Sequence, residues 1–361
     1  MNICLVTDPL VTTMGAVRPA ILLAREFVQN GNKVILLTPK IDKGIEHMLQ
    51  KDGIDVEVVS SKFSFLREFP TFDAWAKSLI KVEDVLDRLE RKLDIIINTS
   101  SCIALKSHAF YGQGPMTDIL RDIFQLIPLK YRLAYSLSAP FLRKMEERSI
   151  RRLRKLTKFF IANSSFCASL YRRLGINIDH IIYPPLDCSF FKPSSPKPSG
   201  DYVLTHFGIY GKEGRFSVIK AVADSGVYLK VFGKTKYVPK SLLKHPNINF
   251  LGNVSDEELV HLYSNALFTL FAFSHEPFGY IPVESMACGT PVLTYNRQGP
   301  SETVLDNETG WLAENDAEIV SLAVNVRKHG YGGSMRRRCR ERALDFDVKK
   351  IYMEWLKILN L

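Results

Sequence analysis

Cysteine is scarce in this 361-residue sequence, and its six cysteines lie far apart, without a C-x-x-C pair or a Cys/His cluster. This distribution argues against a disulfide framework and a zinc site, and it favours a reduced, intracellular protein without a bound metal. Long apolar runs are also missing, since none approaches the ~20 residues that span a membrane. The N-terminus reaches polar side chains at Thr7 and Asp8, too early for the apolar region of a signal peptide. We therefore expect a cytoplasmic protein, either soluble or peripheral on the cytoplasmic membrane face.

Charge is unbalanced, whereas the overall composition is ordinary. With 46% hydrophobic and 24% charged residues the sequence is typical of a globular protein, and its formal net charge is +10. A basic balance permits nucleic acid, acidic lipid or phosphorylated metabolites as partners and does not choose among them. No module that interleaves basic and exposed aromatic residues is recognisable, so we expect no nucleic-acid partner.

Short apolar runs alternate with helical patterns along most of the chain. "NICLVT", "KVILLTP", "IDVEVV", "DIIINTS" and "KFFIANS" are typical of buried strands, and helix-like segments separate them. Such alternation predicts right-handed crossovers and a parallel, doubly wound sheet. The alternation of strands and helices stops at residues 192–201, "KPSSPKPSGD", which indicate a linker. It begins again at "YVLTHFG".

The sequence therefore predicts an α/β protein with two Rossmann-like domains. We place the N-terminal domain at residues 1–191, the linker at 192–200 and the C-terminal domain at 201–340. Residues 341–361 contain a final helix with Ile351, Trp355 and Leu359 on one face. That face must be buried on one of the two domains, and packing back on the N-terminal domain is the arrangement we consider.

The stretch "HEPFGYIPVESMACGTPVLTY" at residues 275–295 follows the apolar run "LFTLFAF". In parallel sheets ligands bind at the carboxyl ends of strands, where this stretch must lie. Pro282 suits the first turn of a helix, so we place Glu276 in a loop and Glu284 in the helix. Backbone N–H groups from Gly279 to Val283 suit a diphosphate, and the two carboxylates suit vicinal hydroxyls. A ligand with a sugar, a diphosphate and a ribose satisfies all three groups.

The string "EPFGYIPVESMACGTPV" resembles the E-x7-E signature of glycosyltransferase family 4, whose members are retaining enzymes of the GT-B fold. The flanking "NINFLGNVSDEELVHLYSNA" and "GPSETVLDNETGWL" resemble the same family, as does "IIYPPLDCSFFKP" before the linker. In the N-terminal half the likeness is carried by "MNICLVTD" and "MGAVRPAILLAREFVQNGNKVILLT". The resemblance implies an acceptor-binding N-terminal domain and a nucleotide-sugar-binding C-terminal domain that face a central cleft. It also implies a metal-independent transfer without a cofactor other than the nucleotide-sugar donor.

The resemblance also implies roles for individual residues. Glu276 would meet the donor sugar near the reacting carbon, and Glu284 would bind the ribose hydroxyls. Gly252 would border the base, and Gly15 would approach the phosphates, although a plain helix-start turn also explains Gly15. The remaining donor contacts would come from the N–H groups of Phe278, Gly279, Tyr280, Ile281 and Val283.

Two departures from the family pattern concern charge and proton transfer. Ile209 stands where the family has an arginine, which leaves Lys212, the preferred candidate, or Arg215 to neutralise the diphosphate, unless both are surface charges. On the acceptor side Gln113 in "FYGQGP" stands where the family has a histidine, and it can hydrogen-bond a sugar but cannot carry a proton. His108, five residues earlier, is either a catalytic candidate or a polar residue at a strand start. Front-face attack, in which the leaving phosphate takes the acceptor proton, tolerates the missing histidine.

Residues 142–160 are strongly basic and follow an apolar segment. With Leu129, Leu133 and Phe141 upstream, they could seat the protein on anionic lipid, or they could form a solvated helix face. We expect the second cluster, at residues 334–342, to be a plain exposed helix. The basic residues of the first cluster are Arg143, Lys144, Arg148, Arg151, Arg152, Arg154, Lys155 and Lys158.

These patterns together predict a retaining glycosyltransferase that moves a hexose from a UDP- or GDP-sugar to an acceptor glycan in polysaccharide or glycoconjugate synthesis. The acceptor would be lipid-linked if the basic segment binds a membrane. A GT-B protein that binds a nucleotide-sugar with little or no turnover stays open because of Ile209, as do a sugar-nucleotide epimerase and a phosphorylase of the same fold.

Overall fold

The structure, a computed structural model, describes residues 1–59, 75, 93–126, 129–195, 198–208, 215–235 and 238–361. The chain divides into two compact units. Unit 1 consists of Met1–Asp118, Tyr135–Pro185 and Val348–Leu361, and unit 2 of Ile119–Ala134 and Leu186–Asp347. The contact boundary at Pro185 precedes the Pro- and Ser-rich segment, which lies in unit 2 and donates a hydrogen bond from the Ser194 N–H to Ser264 Oγ (3.0 Å).

The sheet of unit 1 has seven parallel strands in the order β3-β2-β1-β4-β5-β6-β7. The order reverses at β1, as expected for a doubly wound sheet with helices on both faces. Its strands are β1 Asn2–Val6, β2 Lys33–Thr38, β3 Ile54–Val58, β4 Ile95–Asn98, β5 Ser107–Gly112, β6 Thr157–Ala162 and β7 His180–Ile181.

The sheet of unit 2 has six parallel strands in the order β10-β9-β8-β11-β12-β13, with the reversal between β8 and β11. Because all strands run the same way, their carboxyl ends lie at one edge of the sheet, where ligands bind in this type of fold. Its strands are β8 Val203–Phe207, β9 Leu229–Gly233, β10 Ile248–Gly252, β11 Thr269–Phe271, β12 Val292–Tyr295 and β13 Gly310–Ala313.

Most of the helices connect these strands as crossovers, and the last three follow β13. From the N-terminus they are α1 Arg18–Gln29, α2 Lys43–Lys51, α3 Met116–Asp122, α4 Leu129–Leu156, α5 Ser165–Arg173, α6 Phe216–Asp224, α7 Lys240–Leu243, α8 Asp256–Asn265, α9 Tyr280–Ala287, α10 Pro300–Thr303, α11 Asp316–His329, α12 Ser334–Ala343 and α13 Val348–Leu359. In the part of the chain that the structure describes, no helix combines the length and apolar character that crossing a bilayer requires.

The last helix, α13, belongs to unit 1 although the chain reaches it from unit 2. Its residues Ile351, Trp355 and Leu359 join the same buried cluster as Phe27 of α1. The ring of Tyr352 also packs edge-on against Phe27, with 5.1 Å between the centroids. The apolar face read from the sequence is therefore the face by which α13 is buried.

The second basic cluster, on α12, is not a plain exposed helix, and that expectation is wrong. Arg340 donates hydrogen bonds to the backbone carbonyls of Cys188 (2.8 Å) and Ala287 (3.0 Å). Arg342 donates in the same way to the carbonyl of Glu302 (2.7 Å). These guanidinium groups donate hydrogen bonds to carbonyl groups of neighbouring segments. Composition alone does not show whether a basic side chain makes such contacts or faces water. The buried residues of α12 are Met335, Cys339 and Ala343.

Candidate functional site

The loop of residues 272–279 leaves the carboxyl end of β11 beside the reversal of strand order in unit 2. It leads into α9, and the structure places Glu276 in the loop and Glu284 inside the helix, as the sequence indicates. Pro277 and Gly279 prevent the helix from extending back to Glu276, whereas Pro282 is compatible with its first turn. The two carboxylates therefore belong to different local structures.

Gly279 caps the start of α9 with φ 94° and ψ 80°, a left-handed conformation that favours glycine. A Cβ atom at this position would lie 3.1 Å from Pro300 Cγ and 3.3 Å from Pro282 Cγ. The first turn of an α-helix carries N–H groups without intrahelical acceptors and a partial positive charge. The glycine thus lets the chain enter α9 abruptly, with this positive end facing the loop.

The other residues of the predicted donor contact differ in exposure. Phe278 is buried and packs its ring on those of Tyr280 and Phe346, with centroid distances of 5.3 and 5.6 Å. Val283 is also buried, whereas Tyr280 and Ile281 are partly exposed. Phe278 and Val283 therefore fix the turn through packing, and their contribution to a ligand would come from the backbone.

The backbone of Glu276 is held from the segment after β12. Its N–H donates to Gln298 Oε1 at 2.7 Å, and its carbonyl accepts from the N–H of Gly299 at 3.0 Å. Gln298 itself has a positive φ of 58°, and a Cβ on Gly299 would lie 2.2 Å from the carbonyl oxygen of Pro277. Sequence reasoning missed Gln298 and Gly299, although "RQGP" after a strand is a turn signal at the same sheet edge.

The side chain of Glu284 points into unit 2, where only 1% of the residue is exposed. Its Oε2 accepts a hydrogen bond of 2.9 Å from the hydroxyl of Tyr263, a fully buried residue of α8. Burial, reinforced by the nearby charge of Glu284, raises the pKa of the Cys288 thiol. A ribose contact by Glu284 therefore stays a prediction, and it requires the ligand to reach a carboxylate already engaged by Tyr263.

His275 precedes Glu276 and is fully buried. Its Nδ1 lies 2.7 Å from Oδ2 of Asp122, the last residue of α3, and both residues belong to unit 2. Burial tends to raise the pKa of Asp122, but the hydrogen bond to His275 and the charges of His275 and Arg121 outweigh it and lower the pKa. This pair anchors the start of the Glu276 loop, and no sequence pattern connects residues so far apart in the chain.

The remaining donor candidates in unit 2 lie in segments that end or follow strands. Gly252 ends β10 with φ 73°, and a Cβ there would meet nothing within 4 Å. Arg215, at the start of α6, pairs through Nη1 with Asp316 Oδ1 (2.8 Å) and donates to the hydroxyl of Tyr295 (3.3 Å). Its charge is thus balanced by a carboxylate. Lys212 and Ile209 lie outside the described residues.

Unit 1 brings Gly15 and Gln113 to the same edge of its sheet. Gly15, with φ 67°, begins a short turn of 3-10 helix after β1, and a Cβ there would meet nothing within 4 Å. Gln113 follows β5, and its Nε2 donates to the carbonyl of Ala16 at 2.7 Å. Asp8, next to this turn, is buried and accepts from the hydroxyl of Ser100 at 2.7 Å, and burial raises the pKa of Asp8. No sequence pattern singles out Asp8 as a site residue.

His108 lies at the opposite end of β5 from Gln113. It is the second residue of the strand, so roughly 16 Å of extended chain separates the two positions. Its Nδ1 accepts a hydrogen bond from the N–H of Ile96 at 3.0 Å. Burial lowers the pKa of His108, and the charges of Lys158 and Lys106 lower it further. This placement favours the structural interpretation of His108.

Residues 189–346 match the family described as glycosyl transferases group 1. The alpha-1,3/1,6-mannosyltransferase alg-2 of Neurospora crassa is 30% identical over 163 residues, which cover 43% of this chain and 35% of the relative. The chain thus spans about a third of the length of the curated relatives it matches.

Solved structures resemble the whole chain. Anabaena Alr3699/HepE, solved in complex with UDP, has a TM-score of 0.71 and 17% identity, covering 100% of both chains. WaaG, a glycosyltransferase involved in lipopolysaccharide biosynthesis, has a TM-score of 0.70 and 15% identity, covering 99% of both. At these identities the likeness shows the fold alone, and it confirms the two Rossmann-like parallel sheets predicted from the sequence. Residues 189–346 are thus similar to the glycosyl transferases group 1, and the chain as a whole has the GT-B fold.

Proposed function

We propose that the chain is a retaining, metal-independent glycosyltransferase that moves a hexose from a UDP- or GDP-linked donor to an acceptor glycan. The observation that carries this proposal is the turn around Gly279. It joins a loop carboxylate, Glu276, to the positive start of α9 at the carboxyl end of β11. The match of this segment to the glycosyl transferases group 1 supports the same reaction.

The chemistry follows from what this turn can bind. The N–H groups at the start of α9 hold the diphosphate and stabilise the charge that develops on it as the glycosidic bond breaks. Glu276, half-buried and held through its backbone, accepts hydrogen bonds from the sugar hydroxyls near the reacting carbon. The departing phosphate takes the acceptor proton, so no side chain has to act as the base. In unit 1, Gln113 is suited to hydrogen-bond an acceptor hydroxyl.

The relatives support a hexose donor without choosing its base. The Neurospora relative is named a mannosyltransferase, and the Anabaena neighbour was solved with UDP and, in another structure, with UDP-glucose. The pairing of Arg215 with Asp316 favours the alternative of binding with little turnover, since it leaves the diphosphate without that cation. The two proposals differ in turnover and share the same donor site.

The test is a panel of UDP- and GDP-sugars assayed for thermal shift and for release of the nucleotide, with product analysis to detect epimerisation. We expect sugar-specific turnover in which Glu276→Gln lowers kcat about a hundredfold, because it removes a contact that positions the reacting carbon. Glu257→Gln, on an exposed position of α8, is the matched control and should behave as the wild type. A thermal shift without turnover supports the binding protein, and the absence of both excludes the donor site.

A further inference from the structure

Helix α4 carries a continuous exposed face, which we call its outer face, formed by Leu137, Phe141, Lys144, Arg148, Arg151 and Lys155. The intervals between these residues alternate between four and three, which confines them to roughly 80° of the helix circumference at 3.6 residues per turn. Leu137 is 88% exposed and Phe141 64%. All six side chains are exposed on both sides of Pro140, so the face continues past this proline.

The opposite face of α4 is buried. Ile150 and Leu153 join a cluster with Phe160 of β6. Glu146, 4% exposed, turns inward as well, and its carboxylate accepts hydrogen bonds from the N–H groups of Met116 (2.7 Å) and Thr117 (3.0 Å). This carboxylate caps the start of α3 and points away from the outer face.

Three other cations of the basic segment contact residues of the fold, and Arg152 is exposed. Arg143 lies 3.4 Å from Glu147 on the same helix, and Arg154 lies 3.2 Å from Asp179. Lys158 belongs to β6 and lies over the ring of Phe159 at 4.9 Å. Four cations thus line the outer face, after two large apolar side chains.

We propose that the outer face of α4 binds the surface of a bilayer that contains anionic lipids. Leu137 and Phe141 gain free energy by leaving water for the boundary between headgroups and acyl chains. The four cations that follow, over about 27 Å of helix from Leu137 to Lys155, attract anionic headgroups.

A bilayer accounts for this face better than a nucleic acid does. A nucleic acid explains the cations, but it offers no apolar phase for the exposed side chains of Leu137 and Phe141. The combination of apolar and basic residues on an interfacial helix is the pattern expected of a peripheral membrane protein. The proposal stands apart from the glycosyl transfer proposed above, and it would place the protein beside a lipid-linked acceptor.

The test is co-sedimentation of the full chain with vesicles of phosphatidylcholine, alone or mixed with phosphatidylglycerol. One variant replaces the four cations by glutamine (Lys144→Gln, Arg148→Gln, Arg151→Gln, Lys155→Gln), and a second carries Leu137→Gln and Phe141→Gln. The matched control replaces four exposed lysines of unit 1 and changes the net charge equally (Lys40→Gln, Lys43→Gln, Lys51→Gln, Lys106→Gln). Because the replaced side chains are exposed, we expect all three variants to melt like the wild type.

We expect the wild type to bind the anionic vesicles only. The four-cation variant should bind them more weakly by about tenfold or more, since each cation near the surface contributes up to roughly fivefold in affinity. The Leu137→Gln/Phe141→Gln variant should weaken binding by about tenfold or more as well, because it removes the apolar side chains that enter the boundary region. The control should stay within about twofold of the wild type. Absence of binding to anionic vesicles overturns the proposal. Competition by duplex DNA, combined with wild-type binding of the Leu137→Gln/Phe141→Gln variant, also overturns it and assigns the face to a polyanion instead.

Discussion

The hydrogen bond between Tyr263 and Glu284 joins α8 to α9, the helix that begins at the candidate donor turn. It measures 2.9 Å between the hydroxyl and Oε2, with 0% and 1% of the two residues exposed. We predict that it stabilises unit 2 and also limits what Glu284 can offer a nucleotide. A double-mutant cycle with Tyr263→Phe, Glu284→Gln and the double variant separates these two effects.

The magnitude follows from burial and charge. Tyr263→Phe removes the donor from a carboxylate that water does not reach, which costs about 1.5–3 kcal/mol for a hydrogen bond to a charged group. Glu284→Gln keeps an acceptor for the hydroxyl but makes the bond neutral, so we expect a smaller loss of about 1 kcal/mol. Because the two side chains share one contact, the double variant should lose less than the sum, with a coupling of about 1–2 kcal/mol.

The assay must report unit 2 alone, since a chain of two compact units need not unfold in one step. Trp311 lies in unit 2, whereas Trp75 and Trp355 lie in unit 1, and these are the three tryptophans of the chain. Labelling with 5-fluorotryptophan gives three resonances, and the Trp311 signal followed through a urea titration yields the free energy of unfolding of unit 2. The affinity for UDP and GDP is measured on the same samples by calorimetry.

If Glu284 holds the ribose, Glu284→Gln weakens nucleotide binding about tenfold, the equivalent of one charged hydrogen bond, and Tyr263→Phe changes it less. Additive losses of stability would refute the hydrogen bond as a stabilising contact. Wild-type affinity in both variants would refute the ribose contact and leave Glu284 as a structural residue between α8 and α9.

Two further predictions concern the Glu276 loop. Gly279→Ala should destabilise unit 2 by about 1–3 kcal/mol in the same titration, because φ is 94° and the new Cβ meets Pro300 Cγ at 3.1 Å. Gly252→Ala, where φ is 73° and a Cβ would meet nothing within 4 Å, is the control for backbone strain. Equal losses of stability in the two variants would exclude the contact with Pro300 as a cause. Asp122→Asn should remove stability that is present at pH 7, because the hydrogen bond to His275 outweighs burial and lowers the pKa of Asp122. The difference in free energy of unfolding between this variant and the wild type should narrow as the pH falls below about 3.9, the pKa of aspartate in the unfolded chain. A difference that does not vary with pH would contradict this account.

The alternation of strands and helices could be predicted because local patterns encode it. "LFTLFAF" indicates the buried strand that the structure shows as β11, although the ladder itself includes only Thr269–Phe271. Ala272 and Phe273 are equally buried, so hydrophobicity alone does not show where pairing ends. The placement of Glu276 and Glu284 was predictable for a similar reason, since proline and glycine restrict the backbone locally.

The partners of these residues could not be predicted. Gln298, Tyr263 and Asp122 contact the site from 22, 21 and 153 residues away along the chain. A single sequence shows periodicity and turn signals, whereas pairing across a fold depends on where whole elements pack. The arginines of α12 illustrate the same limit, because a charged run looks exposed until the carbonyl groups around it are known.

The contacts around Glu276 together explain why its loop can support catalysis. The Gln298 side chain and the Gly299 N–H hold its backbone from one side, and the buried pair of His275 and Asp122 anchors the residue before it. Because the backbone of Glu276 is already held in place, it loses little conformational entropy when a sugar binds, so more of the binding free energy remains for the transition state. These contacts position Glu276 through its backbone, whereas Glu284 is held through its carboxylate, which accepts the hydrogen bond from Tyr263.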